Sequence, residues 1–152
     1  MPVPNAASTA PSPETPVVMI VDDDFSARLQ VRFTLENAGF EVMEAASGQE
    51  ALDLWSTRQP DLILLDVIMP DMDGFATCRA LRTLPGAAHL PVVMVTGLED
   101  TETIIQSFNA GATDFIIKPI NMLILGYRAR FWLRSGSIMR ELAISQGQDL
   151  KV

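Results

Sequence analysis

Cysteine and histidine are almost missing from this chain of 152 residues, which contains one of each, Cys78 and His89. A single cysteine cannot form an internal disulfide, and together with one histidine it cannot supply the usual ligands of a zinc site. No apolar run approaches the roughly 18 residues that a membrane span requires. The N-terminus also lacks a basic start followed by an apolar stretch. We therefore expect a cytoplasmic protein with reduced thiols, no secretory signal and no membrane partner.

Basic residues are also scarce, because 11 lysines and arginines stand against 19 acidic residues and give a net charge of −8. The imbalance is concentrated in residues 17–120, which hold 16 acidic and 6 basic residues, whereas residues 121–152 hold 2 acidic and 5 basic ones. An acidic body repels phosphates, so we expect no direct binding of nucleic acid. With 48% hydrophobic and 20% charged residues, the composition is that of a folded domain.

Composition changes sharply at residue 17. Residues 1–16 are mostly proline, serine and alanine, and we expect a flexible N-terminal arm there. Residues 17–134 alternate apolar runs with amphipathic stretches and form the predicted domain. Residues 135–152 are expected to be a C-terminal extension or the start of a linker helix.

Short apolar runs predict the strands of a parallel sheet that is covered on both faces. They lie at 17–21, 62–65, 92–95 and 115–117, and the more mixed run 40–43 predicts an edge strand. Helical spacings separate them, with a capping box predicted at Ser47–Glu50 and a helix cap predicted at Asp100. The alternation of strands and helices predicts an α/β fold with right-handed crossovers.

Side chains able to do chemistry follow the predicted strands. They are Asp22, Asp23, Asp24, Asp66, Thr96 and Lys118. The carboxyl ends of parallel strands meet at one edge of such a sheet. Clustered carboxylates repel one another, and a hard cation such as Mg²⁺ relieves that repulsion. Since a lysine and a hydroxyl can hold phosphoryl oxygens, the pattern indicates an aspartate that attacks phosphorus to give an acyl phosphate.

Four stretches carry a family resemblance, namely residues 21–24 (VDDD), 65–74 (LDVIMPDMDG), 95–97 (VTG) and 111–119 (GATDFIIKP). The separations are 43 residues from Asp23 to Asp66, 30 from Asp66 to Thr96 and 22 from Thr96 to Lys118. Over about residues 17–134 the chain resembles the receiver domains of two-component response regulators. The resemblance implies a flavodoxin-like (βα)5 fold with strand order 2-1-3-4-5.

The resemblance also implies the metal site and the phosphorylated residue. Asp66 would be the phosphoacceptor. Asp23, Asp66 and the backbone carbonyl of Ile68 would ligate Mg²⁺, for which Mn²⁺ can substitute, and Asp22 would contribute through a bound water.

A switch is implied in the same way. Thr96 and Lys118 would contact the phosphoryl oxygens, and Phe115 would fill the space that Thr96 vacates. The peptide bond between Lys118 and Pro119 would be cis.

By the same resemblance, the chain takes part in a phosphorelay and is not a turnover enzyme. Its phosphodonor would be a sensor histidine kinase, a phosphotransfer protein or a small acyl phosphate, and the phosphoryl group would leave slowly by self-hydrolysis. Two copies would pair through the face made by the fourth helix, fifth strand and fifth helix. Residues 120–134 resemble the fifth helix of receivers that precede cyclic-di-GMP-type output domains.

The tail has two interpretations. Leu125, Ala129, Trp132, Gly136, Met139 and Ala143 recur at alternating spacings of four and three, as in a heptad seam between two protomers. The same residues suit a fifth helix packed on its own sheet and followed by a frayed tail.

The main alternative function is a haloacid-dehalogenase-like phosphatase, because the aspartates at 22–24 contain an Asp-x-Asp pattern. Against it, Phe25 and Ser26 do not continue that motif, and only Glu141 and Asp149 supply acids after Lys118. A flavin-binding module is a further alternative, but an acidic crevice repels a flavin phosphate.

Overall fold

Strands and helices alternate throughout the computed structural model, which describes residues 14–146. The elements are β1 (Val17–Val21), α1 (Phe25–Asn37), β2 (Glu41–Ala45), α2 (Gly48–Thr57), β3 (Leu62–Asp66), α3 (Gly74–Arg82), β4 (Val92–Thr96), α4 (Thr101–Asn109), β5 (Asp114–Ile117) and α5 (Met122–Ser145). Most of the predicted arm, residues 1–13, and the end of the predicted extension, residues 147–152, lie outside the described residues.

All five strands form one parallel sheet in the order β2-β1-β3-β4-β5, which confirms the predicted fold. Val21 at the end of β1 pairs with Ala45 and with Leu65, and Asp66 at the end of β3 pairs with Val95. This register brings the carboxyl ends of the three central strands level with one another. β2 is an edge strand, as predicted, and β5 is the other edge.

The sheet is covered on both faces, so the three central strands β1, β3 and β4 are buried along their whole length. One core cluster combines strand residues with side chains of α1 and α5, including Leu35 and Trp132. The other combines strand residues with α2 and α3, including Trp55 and Leu81. Burial on both faces explains why these strands are continuous apolar runs instead of alternating ones.

Each helix begins at a side chain that accepts a backbone hydrogen bond, and these N-caps are Asp24, Ser47, Asp73, Asp100 and Asn121. The Ser47 half of the predicted capping box is present, since Ser47 Oγ accepts from the Glu50 amide at 3.1 Å, whereas Glu50 Oε1 accepts from the Ala46 amide and not from that of Ser47. The predicted cap at Asp100 is also confirmed. Three of the caps are therefore aspartates next to the carboxyl edge of the sheet.

α5 continues without interruption from Met122 to Ser145, past residue 134, where the predicted domain ends and the predicted extension or linker helix begins. Leu125, Ala129 and Trp132 are buried against the sheet, and Trp132 Nε1 donates to Asp114 Oδ2 at 2.9 Å. At Gly136 an added Cβ would lie 2.6 Å from the ring of Pro91. The predicted heptad seam is wrong for these residues, which pack on their own domain. None of the helices within residues 14–146 is long and apolar enough to cross a membrane.

Candidate functional site

Three aspartates meet at the carboxyl edge of the sheet. Asp22 and Asp23 follow β1 directly, and Asp66 is the last residue of β3. One carboxylate oxygen of each lies within 4.8 Å of those of the other two. Asp22 and Asp66 are buried and Asp23 is exposed, so the cluster is closed at its base and open to solvent on one side. The predicted convergence of these carboxylates is therefore present, while their roles stay predictions.

Lys118 reaches the cluster from the end of β5. Its Nζ lies 2.8 Å from Asp66 Oδ1 and 3.7 Å from Asp22 Oδ2. Its backbone amide donates to the Thr96 carbonyl at 2.7 Å, and its bond to Pro119 is cis, as expected. The lysine is thus held at the phosphoacceptor candidate by a backbone hydrogen bond to the neighbouring strand end.

The charges at the site are not balanced. Burial raises the pKa of Asp66; the Lys118 hydrogen bond opposes this rise, and the charge of Asp22 adds to it. Burial lowers the pKa of Lys118, but its bonds and charge interactions with Asp66 and Asp22 outweigh burial, so the pKa lies above its ordinary value. One partly exposed ammonium therefore does not offset three neighbouring carboxylates.

A hard cation suits this donor set. Mg²⁺ binds oxygen ligands and uses one or two protein carboxylates together with waters and phosphate oxygens. The cluster offers carboxylate oxygens from Asp22, Asp23 and Asp66, one of which is exposed to solvent. Burial is the main cause of the raised pKa of Asp66, and an added divalent charge would relieve the carboxylate repulsion that adds to it. The residues present thus fit the magnesium site that the sequence predicts, while the contribution of the Ile68 carbonyl stays a prediction.

Thr96 ends β4 and is buried, but its hydroxyl is engaged with the following loop. Thr96 Oγ1 accepts from the Leu98 amide at 2.9 Å and donates to the Leu98 carbonyl at 3.3 Å. These bonds orient the hydroxyl toward the segment that leads to the Asp100 cap of α4. The sequence predicts the position of Thr96 at this edge of the sheet, but it does not predict the hydrogen bonds to Leu98.

Phe115 is half-buried on β5 and contacts Phe108 of α4. The two ring centroids are 6.0 Å apart and the rings cross at 83°, an edge-to-face contact. The aromatic switch candidate is thus held by α4. Ile68, in contrast, points its side chain outward and is 65% exposed beside the site.

Two features of the site are not predicted from the sequence. The first is Gly74, where an added Cβ would lie 2.4 Å from the Asp66 carbonyl oxygen and 2.8 Å from Val67 Cα. Only a glycine allows α3 to begin this close to the end of β3. The turn residues around Gly74 are visible in the sequence, but the approach of two backbones is not.

The second is an exposed apolar stripe on α1, formed by Phe25, Leu29 and Phe33. These residues are spaced by four and lie apart from the buried pair Val31 and Leu35 of the same helix. The helix begins directly after the aspartates of β1. Both sets of residues have a spacing of four, but they lie on different sides of the helix. This offset could have shown from the sequence that only one set faces the core.

Comparison with known proteins places the chain among regulators. It is 40% identical over 127 residues to the response regulator PleD of Caulobacter vibrioides, which covers 82% of this chain and 28% of PleD. It is 39% identical over 119 residues to the DNA-binding dual master transcriptional regulator RpaA of Synechocystis, covering 78% of this chain and 49% of RpaA. With the transcriptional regulatory protein AfsQ1 of Streptomyces coelicolor it shares 35% identity over 121 residues, covering 80% and 52%. The chain spans about half the length of these relatives, or less.

Solved structures agree with this assignment. The chemotaxis protein CheY4 of Vibrio cholerae superposes with a TM-score of 0.74 at 35% identity, covering 77% of this chain and 98% of CheY4. A putative response regulator of Chloroflexus aurantiacus gives a TM-score of 0.75 at 36% identity, covering 80% and 99%. These comparisons do not favour the alternative of a haloacid-dehalogenase-like phosphatase. The profile described as the response regulator receiver domain matches residues 18–126, and the chain therefore belongs to that family, as the sequence motifs indicate.

Proposed function

We propose that this chain receives a phosphoryl group on Asp66 and uses it to switch a protein-interaction face. The observation that carries the proposal is the meeting of three carboxylates and one ammonium, Asp22, Asp23, Asp66 and Lys118, at one edge of the sheet. Asp66 has the deepest and most central position, at the end of the middle strand.

In the proposed reaction, a carboxylate oxygen of Asp66 attacks phosphorus and forms a new O–P bond. The bond from phosphorus to the donor breaks, and its electron pair stays on the imidazole nitrogen of a phosphohistidine or on the acetate oxygen of acetyl phosphate. Lys118, already 2.8 Å from Asp66, would hold one phosphoryl oxygen. Water later hydrolyses the acyl phosphate. Because this hydrolysis is slow, the chain is not a turnover enzyme in the ordinary sense.

Asp23, Asp66 and the Ile68 carbonyl would hold Mg²⁺, with Asp22 acting through a water. When bound, the ion supplies positive charge that offsets the carboxylates and the incoming phosphoryl group. The position of Asp22 is set by its own backbone contacts, since its Oδ1 accepts from the Asp24 amide at 2.9 Å.

Phosphorylation adds about −1.5 to −2 charge at Asp66. For Thr96 to reach the new oxygens, its hydroxyl must give up the two hydrogen bonds to Leu98. Release of that segment loosens the entry to α4, whose Phe108 contacts Phe115. A coupling of this type is typically worth about 1–3 kcal/mol.

The Thr96→Ala variant tests this switch. We expect it to take up phosphate, because Asp66 and Lys118 are intact, but to lose the phosphate-dependent shift from monomer to dimer. Phosphate uptake is followed by labelling and the shift by sedimentation. An undiminished shift in the variant would show that Thr96 does not transmit the signal.

The proposed partners are a histidine kinase or phosphotransfer protein and a second copy of the chain. The exposed stripe of α1 beside the site supports a protein phosphodonor. The face formed by α4, β5 and α5 supports dimerisation, because acids lie at the start of α4 and an arginine of α5 lies beside β5. The exposed acids are Glu99, Asp100 and Glu102, and the α5 arginine beside β5 is Arg128, 3.7 Å from Asp114.

For the domain that the receiver regulates, we propose only two possible classes. The fifth-helix segment resembles that of cyclic-di-GMP-type regulators, whereas two of the relatives carry transcriptional regulation in their names. A regulated domain of either class would act downstream of the same receiver switch.

The Asp66→Asn variant is the central test of the proposed function. The wild-type chain, incubated with acetyl phosphate and Mg²⁺, should gain one phosphoryl group, which is lost on treatment with hydroxylamine as acyl phosphates are. Asp66→Asn should gain none. The control is Asp24→Asn, since Asn also caps helices and position 24 lies outside the carboxylate cluster. Equal labelling of wild type and Asp66→Asn would refute the assignment.

A further inference from the structure

Arg28 of α1 contacts the end of β1, where two of the clustered carboxylates lie. Its Nη1 donates to the Asp22 carbonyl oxygen at 2.8 Å, and its Nε donates to Glu44 Oε1 at 2.9 Å. The arginine side chain is 13% exposed, so both hydrogen bonds are largely shielded from water. Because a guanidinium is planar and holds its donors in a fixed geometry, the two bonds together set the orientation of the whole group.

The carbonyl that Arg28 binds belongs to the peptide unit between Asp22 and Asp23. Since a peptide unit is planar, a fixed carbonyl oxygen also fixes the direction in which the chain enters Asp23. Asp22 is held by two further bonds, because its amide donates to the Ala45 carbonyl at 3.1 Å and its Oδ1 accepts from the Asp24 amide at 2.9 Å. Asp23 is the exposed member of the cluster, so its backbone is the main determinant of where its carboxylate lies.

Glu44, the fourth residue of β2, keeps Arg28 in this position. One of its carboxylate oxygens accepts from Arg28, and the other accepts from Arg32, one helical turn further along α1. Burial acts to raise the pKa of Glu44, but the hydrogen bonds from Arg32 and Arg28 outweigh burial and hold that pKa below its ordinary value. The edge strand β2 therefore supports the site, although the carboxylate cluster itself comes from β1 and β3.

A second arginine pairs with a glutamate of the same strand and provides a comparison. Arg58, which follows α2, pairs with Glu41 at the start of β2, and their side chains are 48% and 22% exposed. Glu41 lies opposite Val17 at the amino end of the sheet, far from the carboxylates. Exposed pairs of this kind contribute little. Arg28 differs from Arg58 because it is more buried and binds the backbone of the loop that carries the aspartates.

We infer that Arg28 is a positioning residue for the divalent cation, because it holds the peptide unit that sets the Asp23 carboxylate beside Asp66. Glu44 acts one contact further out, by holding Arg28. The inference rests on the proposed function, since it concerns the same metal site. Removing an outer contact of this kind typically lowers metal affinity by about 10–100-fold.

Direct binding of Mn²⁺ to the full chain tests the inference. Arg28→Met removes the donors to Asp22 and Glu44, and we expect it to raise the Kd for Mn²⁺, measured by electron paramagnetic resonance of the free ion, about tenfold or more. Arg58→Met is the matched control and should leave the Kd within about twofold of wild type. Equal Mn²⁺ affinities of Arg28→Met and wild type would overturn the inference.

Two substitutions of Glu44 separate positioning from a general loss of stability, which urea unfolding measures in each variant. Glu44→Gln keeps an acceptor oxygen for Arg28 Nε, whereas Glu44→Leu removes it. We therefore expect Glu44→Gln to bind Mn²⁺ nearly as well as wild type and Glu44→Leu to lose affinity as Arg28→Met does. Combining Glu44→Leu with Arg28→Met should cost no more affinity than Arg28→Met alone, because both act on one contact. A combined loss equal to the sum of the two would contradict the role of Arg28.

Labelling by acetyl phosphate at a series of Mg²⁺ concentrations gives a further readout. In Arg28→Met the half-maximal Mg²⁺ concentration should rise about tenfold, while the rate at saturating Mg²⁺ approaches that of wild type, because Asp66 and Lys118 are intact. A lower saturating rate at an unchanged half-maximal concentration would overturn the inference, since a general distortion of the site has that effect.

The two measurements distinguish failure of this inference from failure of the proposed function. If the wild-type chain is not labelled while the Mn²⁺ affinities differ as expected, the proposed function is refuted and the positioning role of Arg28 stands. If the wild-type chain is labelled and the Mn²⁺ affinities are equal, the role of Arg28 alone is refuted.

Discussion

At the scale of single residues, the site depends on a backbone contact as well as on charged side chains. Gly74 begins α3 directly against the peptide that carries Asp66, and an added Cβ would lie 2.4 Å from the Asp66 carbonyl oxygen. The obstacle is backbone and not a flexible side chain, so relief requires movement of α3 or of the end of β3. Either movement displaces the phosphoacceptor candidate.

We expect Gly74→Ala to lower the free energy of unfolding by about 1–3 kcal/mol through overpacking, even though alanine favours helix. It should also slow labelling by acetyl phosphate. Gly97→Ala is the matched control at the same edge of the sheet, because nothing lies within 4 Å of its added Cβ and its φ is not positive. Its effect should stay within about 0.5 kcal/mol. Urea unfolding measures both, and equal stability of the two variants would contradict the role given to Gly74.

At the scale of secondary-structure elements, α4 is held at its start by Asp100, whose Oδ1 accepts from the Thr103 amide at 2.7 Å. This backbone hydrogen bond holds the pKa of Asp100 below its ordinary range. The charged cap therefore adds stability above the ordinary pKa of about 3.9, and that stability is lost as the pH falls through the lower pKa of the folded state.

The prediction concerns the difference between wild type and Asp100→Asn, since asparagine keeps a cap but cannot ionise. We expect wild type to be the more stable of the two at pH 6, and the difference to shrink as the pH falls below about 4. Urea unfolding at a series of pH values measures it. A difference that does not change with pH would mean that the charge of Asp100 contributes nothing to α4.

The elements themselves are largely predictable, and the exceptions have a physical reason. Continuous apolar runs ending in Asp22, Asp66, Thr96 and Lys118 fix both the parallel sheet and the edge at which the site forms. In α1 the same spacing of four describes the buried Val31–Leu35 pair and the exposed Leu29–Phe33 pair, so periodicity alone does not say which faces the sheet. In α5 the same apolar repeat is expected of a helix packed on its own sheet and of a coiled coil. The contacts with the sheet, which the sequence does not give, distinguish the two.

At the scale of the whole molecule, Arg82 joins segments that are distant in the sequence. Its guanidinium donates to the carbonyls of Ala87, Leu90 and Gly111 at 2.6–2.9 Å and forms no ion pair within residues 14–146. Burial lowers its pKa. The end of α3, the loop before β4 and the turn before β5 are thus fixed to one side chain, at the end of the sheet opposite the site.

Replacing Arg82 by methionine keeps an unbranched apolar stem and removes every donor. We expect a loss of about 3 kcal/mol in the free energy of unfolding, because the three carbonyls lose their partners. Arg79→Met, an exposed position of the same helix, should cost no more than about 0.5 kcal/mol. Thermal unfolding of both variants provides the measurement, and similar midpoints would argue against this role of Arg82.

At this scale the sequence predicts which side chains converge at the site but not all of the contacts that they make there. The order of Asp23, Asp66, Thr96 and Lys118 is enough to predict their convergence, because strand ends of a parallel sheet share an edge. The hydrogen bonds of Thr96 to Leu98 depend on the path of a loop, and nothing in the residue types specifies that path.

The uninterrupted course of α5 has a mechanical consequence. Twenty-four residues of helix measure about 36 Å, and the first of them, Met122, stands four positions after Lys118. Because the helix is this long, each degree of tilt about its end near Lys118 moves its other end by about 0.6 Å. A rearrangement of a few tenths of an ångström beside the aspartates would therefore become a displacement of ångströms at Ser145.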